Sequence, residues 1–366
     1  MSFHNHSQVP VQIRSERTKS FSTADFPSIS KSEEQWRYLD PSRLNSLDVS
    51  LERFSGEISG RYELVEKGSL KLNVVPEDRI SALVSETNTH VVRVQLSEEH
   101  STANIQINTE DKQQSLQILV EVEQNVSADL ILNHVGNGDL AEFVEVRVAS
   151  GASLKFSSIH NHNGSTSALV SAQFFDLGSS SSLEYVSVSL TGKTIRVVPT
   201  VTFSGEGASA KLHGAFFATG DQYIENRPFI DHNQPNCVSD VSYKGALLGE
   251  KAHTVWVGDV LIRQEAVGTK TYELNRNLLL TDGARADSVP NLEIETGQIE
   301  GAGHASASGR FDEEQLFYLQ ARGVPELQAK QLVVQGFIGD VIQRINDEDL
   351  VDSLNALVES KLGVSI

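Results

Sequence analysis

A single cysteine, Cys237, stands among 366 residues. One thiol excludes an internal disulfide framework and cannot by itself supply a cysteine-rich cluster or a zinc site, so any metal centre must borrow ligands. Basic residues are scarce as well: 30 Lys and Arg against 49 Asp and Glu give a formal net charge of −19. That balance argues against a general nucleic-acid surface or a surface for anionic membranes, both of which need Lys and Arg opposite phosphate. It disfavours acidic partners too. No apolar run of about 7 to 15 residues opens the chain as in a signal peptide, and nothing later approaches the ~18 needed to span a bilayer, so the expected compartment is the cytoplasm. Nucleotide loops are missing: there is no G-x-x-x-x-G-K-[ST], and no G-x-G-x-x-G opens a helix after a strand. The chain is therefore not expected to bind ATP itself. Carboxylates are numerous, but no pair has a spacing that implies a glycosidase or lyase.

What is present is an ordinary globular composition, 39% hydrophobic and 22% charged, over a length that allows two or three folding units. Residues 1–60 read as a loosely ordered Ser-rich arm followed by a short helical segment. His4 and His6 lie in the arm, where an exposed pair is far more often incidental than a metal site. Ser32 is placed to cap a short helix with Gln35 at the capping-box position, burying Trp36 and Leu39 and ending at Pro41. Residues 61–310 change character. Val, Ile and Leu alternate with polar residues in short runs, as in Val91-Val92-Arg93-Val94-Gln95-Leu96, which predicts a long all-β region. A small-residue turn followed by an apolar residue recurs, bringing Leu130, Leu154, Leu183 and Leu212 at intervals of 24, 29 and 29 residues. Such spacing suits successive coils of a solenoid with these leucines inward, although periodicity alone leaves a jelly roll open. Residues 311–366 form a helical segment. Asp312 and Gln315 make a capping box, the first helix stops at Gly323, and Pro325 suits the first position of the next. Val334, Phe337, Ile338, Val341, Ile342 and Ile345 then form one apolar stripe, and a last helix from about Asp349 carries Leu350, Leu354, Leu357 and Leu362.

Few side chains stand out chemically. His304 lies in Gly301-Ala302-Gly303-His304-Ala305-Ser306. A lone histidine is more often structural or simply exposed, yet imidazole ligates iron well and small neighbours leave the ring room to face a partner. Cys237 follows Asp231 and His232 closely, but a buried, inert thiol is the better account of it. His134, His160 and His162 flank Asn-Gly turns and are read as solvated. The C-terminal segment is acidic, with Arg322, Lys330 and Arg344 against ten acids from Asp312 to Glu359.

Several ordered motifs carry a family resemblance: Glu33-Glu34-Gln35-Trp36-Arg37-Tyr38, Asp231-His232-Asn233-Gln234-Pro235-Asn236-Cys237, Asn277-Leu278-Leu279-Leu280, Pro290-Asn291-Leu292-Glu293-Ile294, Gly303-His304-Ala305 and Glu314-Gln315-Leu316-Phe317-Tyr318-Leu319-Gln320-Ala321-Arg322-Gly323. Together they resemble the SufB/SufD family of iron–sulfur cluster assembly proteins, on its SufD side. The resemblance implies a mainly β fold, a right-handed parallel β-helix with an N-terminal helical segment and a C-terminal helical domain. It implies a non-enzymatic subunit that pairs with a SufB-like scaffold through the β-helix and docks a SufC-like ATPase through helices around Gln315, Phe317 and Tyr318. Apolar anchors for that docking would be Val334, Phe337 and Ile338. His304 matches the family histidine implicated in cluster assembly at the SufB interface, as an iron or cluster ligand, with no cofactor held stably by this chain alone. Where many relatives have a cysteine two residues earlier, this chain has Ala302, so sulfur ligation would fall to the partner. A homodimer in isolation is left open. A SufB-type scaffold is the nearest rival, disfavoured by Ala305 and the lone cysteine, and a β-helix enzyme acting on polysaccharide is the rival of another class.

Overall fold

The computed structural model describes residues 18–162, 166–310 and 313–363. Strand accounts for 48% of the chain, and the strands build a parallel β-solenoid of about 7 turns followed by a helical segment. Each turn gives one strand to each of two sheets. The first sheet runs through His90–Leu96, Gln113–Val122, Asp139–Val148, Ala168–Leu177, Thr194–Phe203, the interrupted pair Tyr223–Asn226 and Phe229–His232, His253–Ile262 and Arg285–Ile294. The second runs through Thr102–Thr109, Ser127–Gly136, Ser153–Asn161, Ser182–Thr191, Ser209–Thr219, Val238–Leu248, Lys270–Leu279 and Gly301–Gly309. These neighbours pair in parallel, which excludes the jelly roll, whose sheets are antiparallel.

Parallel sheets are buried on both faces, and three apolar clusters accomplish this here. The lumen is filled by residues from both sheets, among them Ile118, Val144, Phe156, Phe175, Leu212 and Trp256. The outer face of the first sheet is covered by the N-terminal segment, where Trp36, Leu39, Leu44 and Leu47 pack on Phe143, Val170 and Phe174. Arg196 from that sheet lies over the Trp36 ring, 4.1 Å from its centroid. Helix α1 (Arg79–Thr87), which sequence reading did not foresee, joins this layer; the Asp78 side chain caps it by accepting from the backbone N–H groups of Ile80 and Ser81. The expected helix at Ser32 is instead a single 3-10 turn, Glu34–Trp36, with no side-chain cap, although Trp36 and Leu39 are buried as expected. The 1–17 arm, with His4 and His6, lies outside the described residues.

The outer face of the second sheet is covered by the C-terminal helices. Helix α2 (Glu313–Ala321) ends where Gly323 takes φ 87 and Val324 N–H donates back to Leu319 O. Helices α3 (Glu326–Ile342) and α4 (Glu348–Gly363) then bury Val334, Ile338, Val341, Leu354, Val358 and Leu362 against Ile131, Ile159, Val186, Val188 and Phe217. Pro325 sits one position earlier than expected, as the residue preceding α3.

All four repeat leucines are buried in the lumen. Their register differs from a simple column, however: Leu154 pairs with Leu183, whereas Leu130 pairs with Phe156 and Tyr185 with Leu212, so two of the four belong to a neighbouring inward column. The turns before the second sheet do repeat from coil to coil. Asn125, Gly151, Ser180, Gly207, Asn236 and Gly268 all have positive φ, and each N–H donates to a carbonyl of the following turn. A side-chain atom of one such residue lies over the next: a Cβ on Gly151 would fall 2.2 Å from Asn125 Oδ1, and one on Gly268 2.3 Å from Asn236 Oδ1. Glycine at alternate coils is what lets the polar corner residues stack.

At the N-terminal end of the stack, Glu63–Glu66 and Glu57–Ser59 pair antiparallel with the first strand of each sheet and cover their edges. At the other end, Arg285–Ile294 and Gly301–Gly309 each have one neighbouring strand among the described residues.

Candidate metal and partner site

His304 lies on Gly301–Gly309, the last strand of the second sheet. Because inward residues recur with period two, it closes a column that runs Leu130, Phe156, Tyr185, Leu212, Val241, Glu273 and His304 in register. Among the described residues no further coil stacks beyond it, and the ring is exposed at the mouth of the lumen. Its neighbour in register, Glu273, is only 1% exposed. The Glu273 side chain crosses to the first sheet, where Gly258 makes the space: a Cβ there would fall 2.8 Å from Glu273 Oε1. Neither carboxyl oxygen has a hydrogen-bond partner among the described residues. Burial, aided by the nearby Asp259 charge, pushes its pKa up to about 9, so the group is protonated near neutrality.

Polar side chains line the rest of the mouth. Asn277 donates to Asn275 Oδ1 at 2.7 Å and to Ser308 Oγ at 3.1 Å, Ser288 donates to Asn275 Oδ1 at 2.8 Å, and Ser306 to Ser288 Oγ at 2.7 Å. Tyr243 Oη and Trp256 Nε1, buried beside them, have no partner among the described residues. Ala302, two residues before His304, also faces inward and packs against the apolar lumen. Cys237 is fully buried within that core, where burial pushes its thiol pKa up and suits it to an inert role. No three His, Cys, Asp or Glu side chains among the described residues converge as a metal-binding group.

The three histidines expected in solvated turns are instead buried. Period-two alternation on Ser127–Gly136 and Ser153–Asn161 turns His134 and His160 into the lumen, where their rings stack with centroids 5.2 Å apart. His134 Nε2 meets Glu142 Oε2 at 2.9 Å. Burial opposes charge on both groups, but each faces the other, and the pair holds His134 above and Glu142 below its ordinary value. Glu142 also accepts from Ser171, and Gln173 bridges Ser171 to Ser158, which bonds His160. Burial and the nearby His134 charge keep His160 neutral, with a pKa well below the ordinary value; burial takes His162 down to about 4.

The expected docking residues separate into two groups. Phe317 and Tyr318 are 72% and 55% exposed on α2, with the Arg322 guanidinium 4.4 Å from the Tyr318 ring centroid. The Gln315 side chain lies outside the described part. Val334 and Ile338 are fully buried against the second sheet, which corrects their assignment as anchors: this apolar stripe closes the chain's own core. Phe337 is half-buried at its edge, with Lys244 Nζ 5.6 Å from the ring centroid. Leu332, not foreseen as a contact, is 50% exposed on α3. No helix among the described residues is long and apolar enough to cross a membrane.

The family model for the SUF system FeS cluster assembly SufBD core domain matches residues 85–337, spanning nearly all of the solenoid and most of α3. The chain belongs to the SufBD family. It is 40% identical over 354 residues to an iron–sulfur cluster assembly SufBD family protein of Mycobacterium leprae, covering 91% of this chain and 90% of the relative. A SufBD family protein of Mycobacterium tuberculosis is 49% identical over 252 residues, 67% of this chain and 63% of the relative, so the match spans less than two thirds of that protein. The iron–sulfur cluster assembly protein SufD of Escherichia coli is 27% identical over 173 residues, 47% of this chain and 40% of the relative. The family model and these relatives are described in terms of iron–sulfur cluster assembly. Glu273 is the residue at its mouth that sequence reading missed. The signal was the inward parity of Thr271, Glu273 and Asn275, readable only once the register with His304 is known.

Proposed function

We propose that this chain is a SufD-like, non-catalytic subunit of a heteromeric scaffold, pairing with a SufB-like subunit at the C-terminal mouth of its solenoid and with a SufC-like ATPase through α2. The observation that carries this reading is the position of His304: an exposed imidazole on an edge strand whose outer backbone groups have no described partner. Such an edge is a template for pairing with another chain, and pairing there would place His304 in the interface. The cargo is iron or a nascent cluster, to which this chain brings an imidazole nitrogen and the partner brings sulfur, because Ala302 has none. Energy comes from the ATPase, consistent with the missing P-loop. Helix α2, with Phe317 and Tyr318 exposed, and Leu332 on α3 offer an apolar surface for helix-in-groove docking.

Co-expression with SufB-like and SufC-like partners tests this. The three chains are expected to co-purify. His304→Ala should leave assembly and ATP hydrolysis intact while lowering iron and cluster content, because it removes a ligand and little packing. Wild-type iron content in that variant would remove His304 from the role and leave the chain a structural arm.

A further inference from the structure

Glu273 is an anomaly in energetic terms. A carboxyl group buried without a hydrogen-bond partner loses its hydration for nothing in return, and glutamine or leucine would fill the same volume at lower cost. The surroundings nevertheless accommodate it: Gly258 opposite has no side chain, and a Cβ there would meet both Glu273 Oε1 and the Trp256 ring. The carboxyl therefore lies inside the polar mouth, one coil beneath His304 and in register with it. Adjacent parallel strands stand roughly 4.8 Å apart, so an inward carboxylate and an inward imidazole on paired positions reach one ion by side-chain rotation alone.

We propose that Glu273 and His304 together bind one divalent transition-metal ion of the Fe(II) class at the mouth of the solenoid, Glu273 from within and His304 from outside. One carboxylate oxygen and one imidazole nitrogen form a hard-to-borderline donor pair that suits ferrous iron. The charge of the ion offsets the cost of an ionised buried carboxylate. Tyr243 Oη and Trp256 Nε1, both buried without described partners, are spare hydrogen-bond donors at this end of the lumen, and the Trp256 ring and Glu273 Oε1 crowd the same space over Gly258; donors of this kind support metal ligands. The remaining coordination positions go to water or to the partner subunit. This inference rests on the reading of His304 as a ligand and adds the residue that makes it a site.

The test is anaerobic titration of Fe(II) alone into the purified full chain, followed by calorimetry, with Co(II) absorption as a second readout of ligand change. Wild type is expected to bind one ion, and Glu273→Gln and His304→Ala each to weaken binding by about tenfold or more. The double variant should bind at least as weakly as the weaker single variant, since it keeps neither ligand. Thermal melting first establishes that Glu273→Gln is folded; if it is not, Glu273→Asp, which keeps the carboxyl but withdraws it by one methylene, takes its place with a loss expected in the same direction. Loss of binding in His304→Ala with wild-type affinity in the Glu273 variant overturns the proposal and leaves the His304 reading standing. Wild-type affinity in both variants overturns both. No binding by the wild-type chain, or binding that depends on Glu273 but not on His304, overturns the shared site.

Discussion

Two buried carboxyl groups in the same lumen have opposite consequences. Glu142 is ionised against His134 and bonded to Ser171; Glu142→Gln leaves a buried imidazolium unpaired and is expected to destabilise the fold by about 3–5 kcal/mol, read by urea denaturation. Because the pair holds Glu142 below and His134 above its ordinary value, its contribution fades as pH falls through the Glu142 pKa or rises through that of His134. Glu273 behaves in reverse. The unfolded chain releases this proton near 4.5 while the folded chain keeps it to about 9. Stability is therefore full below that lower value and falls as pH rises between the two, by up to about 1.4 kcal/mol per pH unit. Glu273→Gln removes that slope, so its advantage over wild type should widen from pH 6 to pH 8; parallel curves would assign the slope to other groups. Neither carboxyl was legible beforehand. Both sit at inward parity in strands that read as half-exposed, because alternation tells a reader that two faces differ and not that both will be covered.

The corner ladder is where sequence and structure agree best and where the remaining disagreement is informative. Small residues before an apolar residue did mark the coil corners. Yet the pattern could not distinguish parallel coils from antiparallel strands, since period-two burial carries no direction; the four leucines point inward as expected, and only the register shows that Leu130 and Leu212 stand in a different inward column from Leu154 and Leu183. Helix α1 escaped notice because its Asp78 cap precedes only 9 residues of modest apolar content. The ladder makes a specific forecast. Gly151→Ala meets Asn125 Oδ1 as well as a left-handed backbone, and should cost about 2–4 kcal/mol. Gly220→Ala, with φ 64 and open space around it, meets only the backbone strain of about 1–2 kcal/mol. In an Asn125→Gly background, Gly151→Ala should cost no more than Gly220→Ala; an unchanged cost would mean that the Asn side chain moves aside.

For the whole molecule, the division of the C-terminal helices into a buried and an exposed set predicts two separable phenotypes. Phe317→Asp, on the 72% exposed residue, should leave the melting temperature nearly unchanged and weaken capture of a SufC-like partner. Val334→Asp puts an unpaired charge between α3 and the second sheet and should unfold that layer, whatever the partner does. Equal capture by the folded Phe317→Asp chain would move the docking surface elsewhere.

The layer that α3 and α4 form also reaches far back along the chain. Lys361 donates to the backbone carbonyl of Leu190, 171 residues earlier, and Arg344 pairs with Glu184, 160 residues earlier. During synthesis the coils can stack as they emerge, but the outer face of the second sheet, with Ile131, Ile159, Val186 and Val188, is left without its α3 and α4 cover until residues 326–363 have been made. At ribosomal speeds of about 5–20 residues per second, Leu190 waits roughly 10–30 s for Lys361. For that interval the nascent chain carries a bare apolar sheet, and a chain stopped before Glu326 would carry it for good.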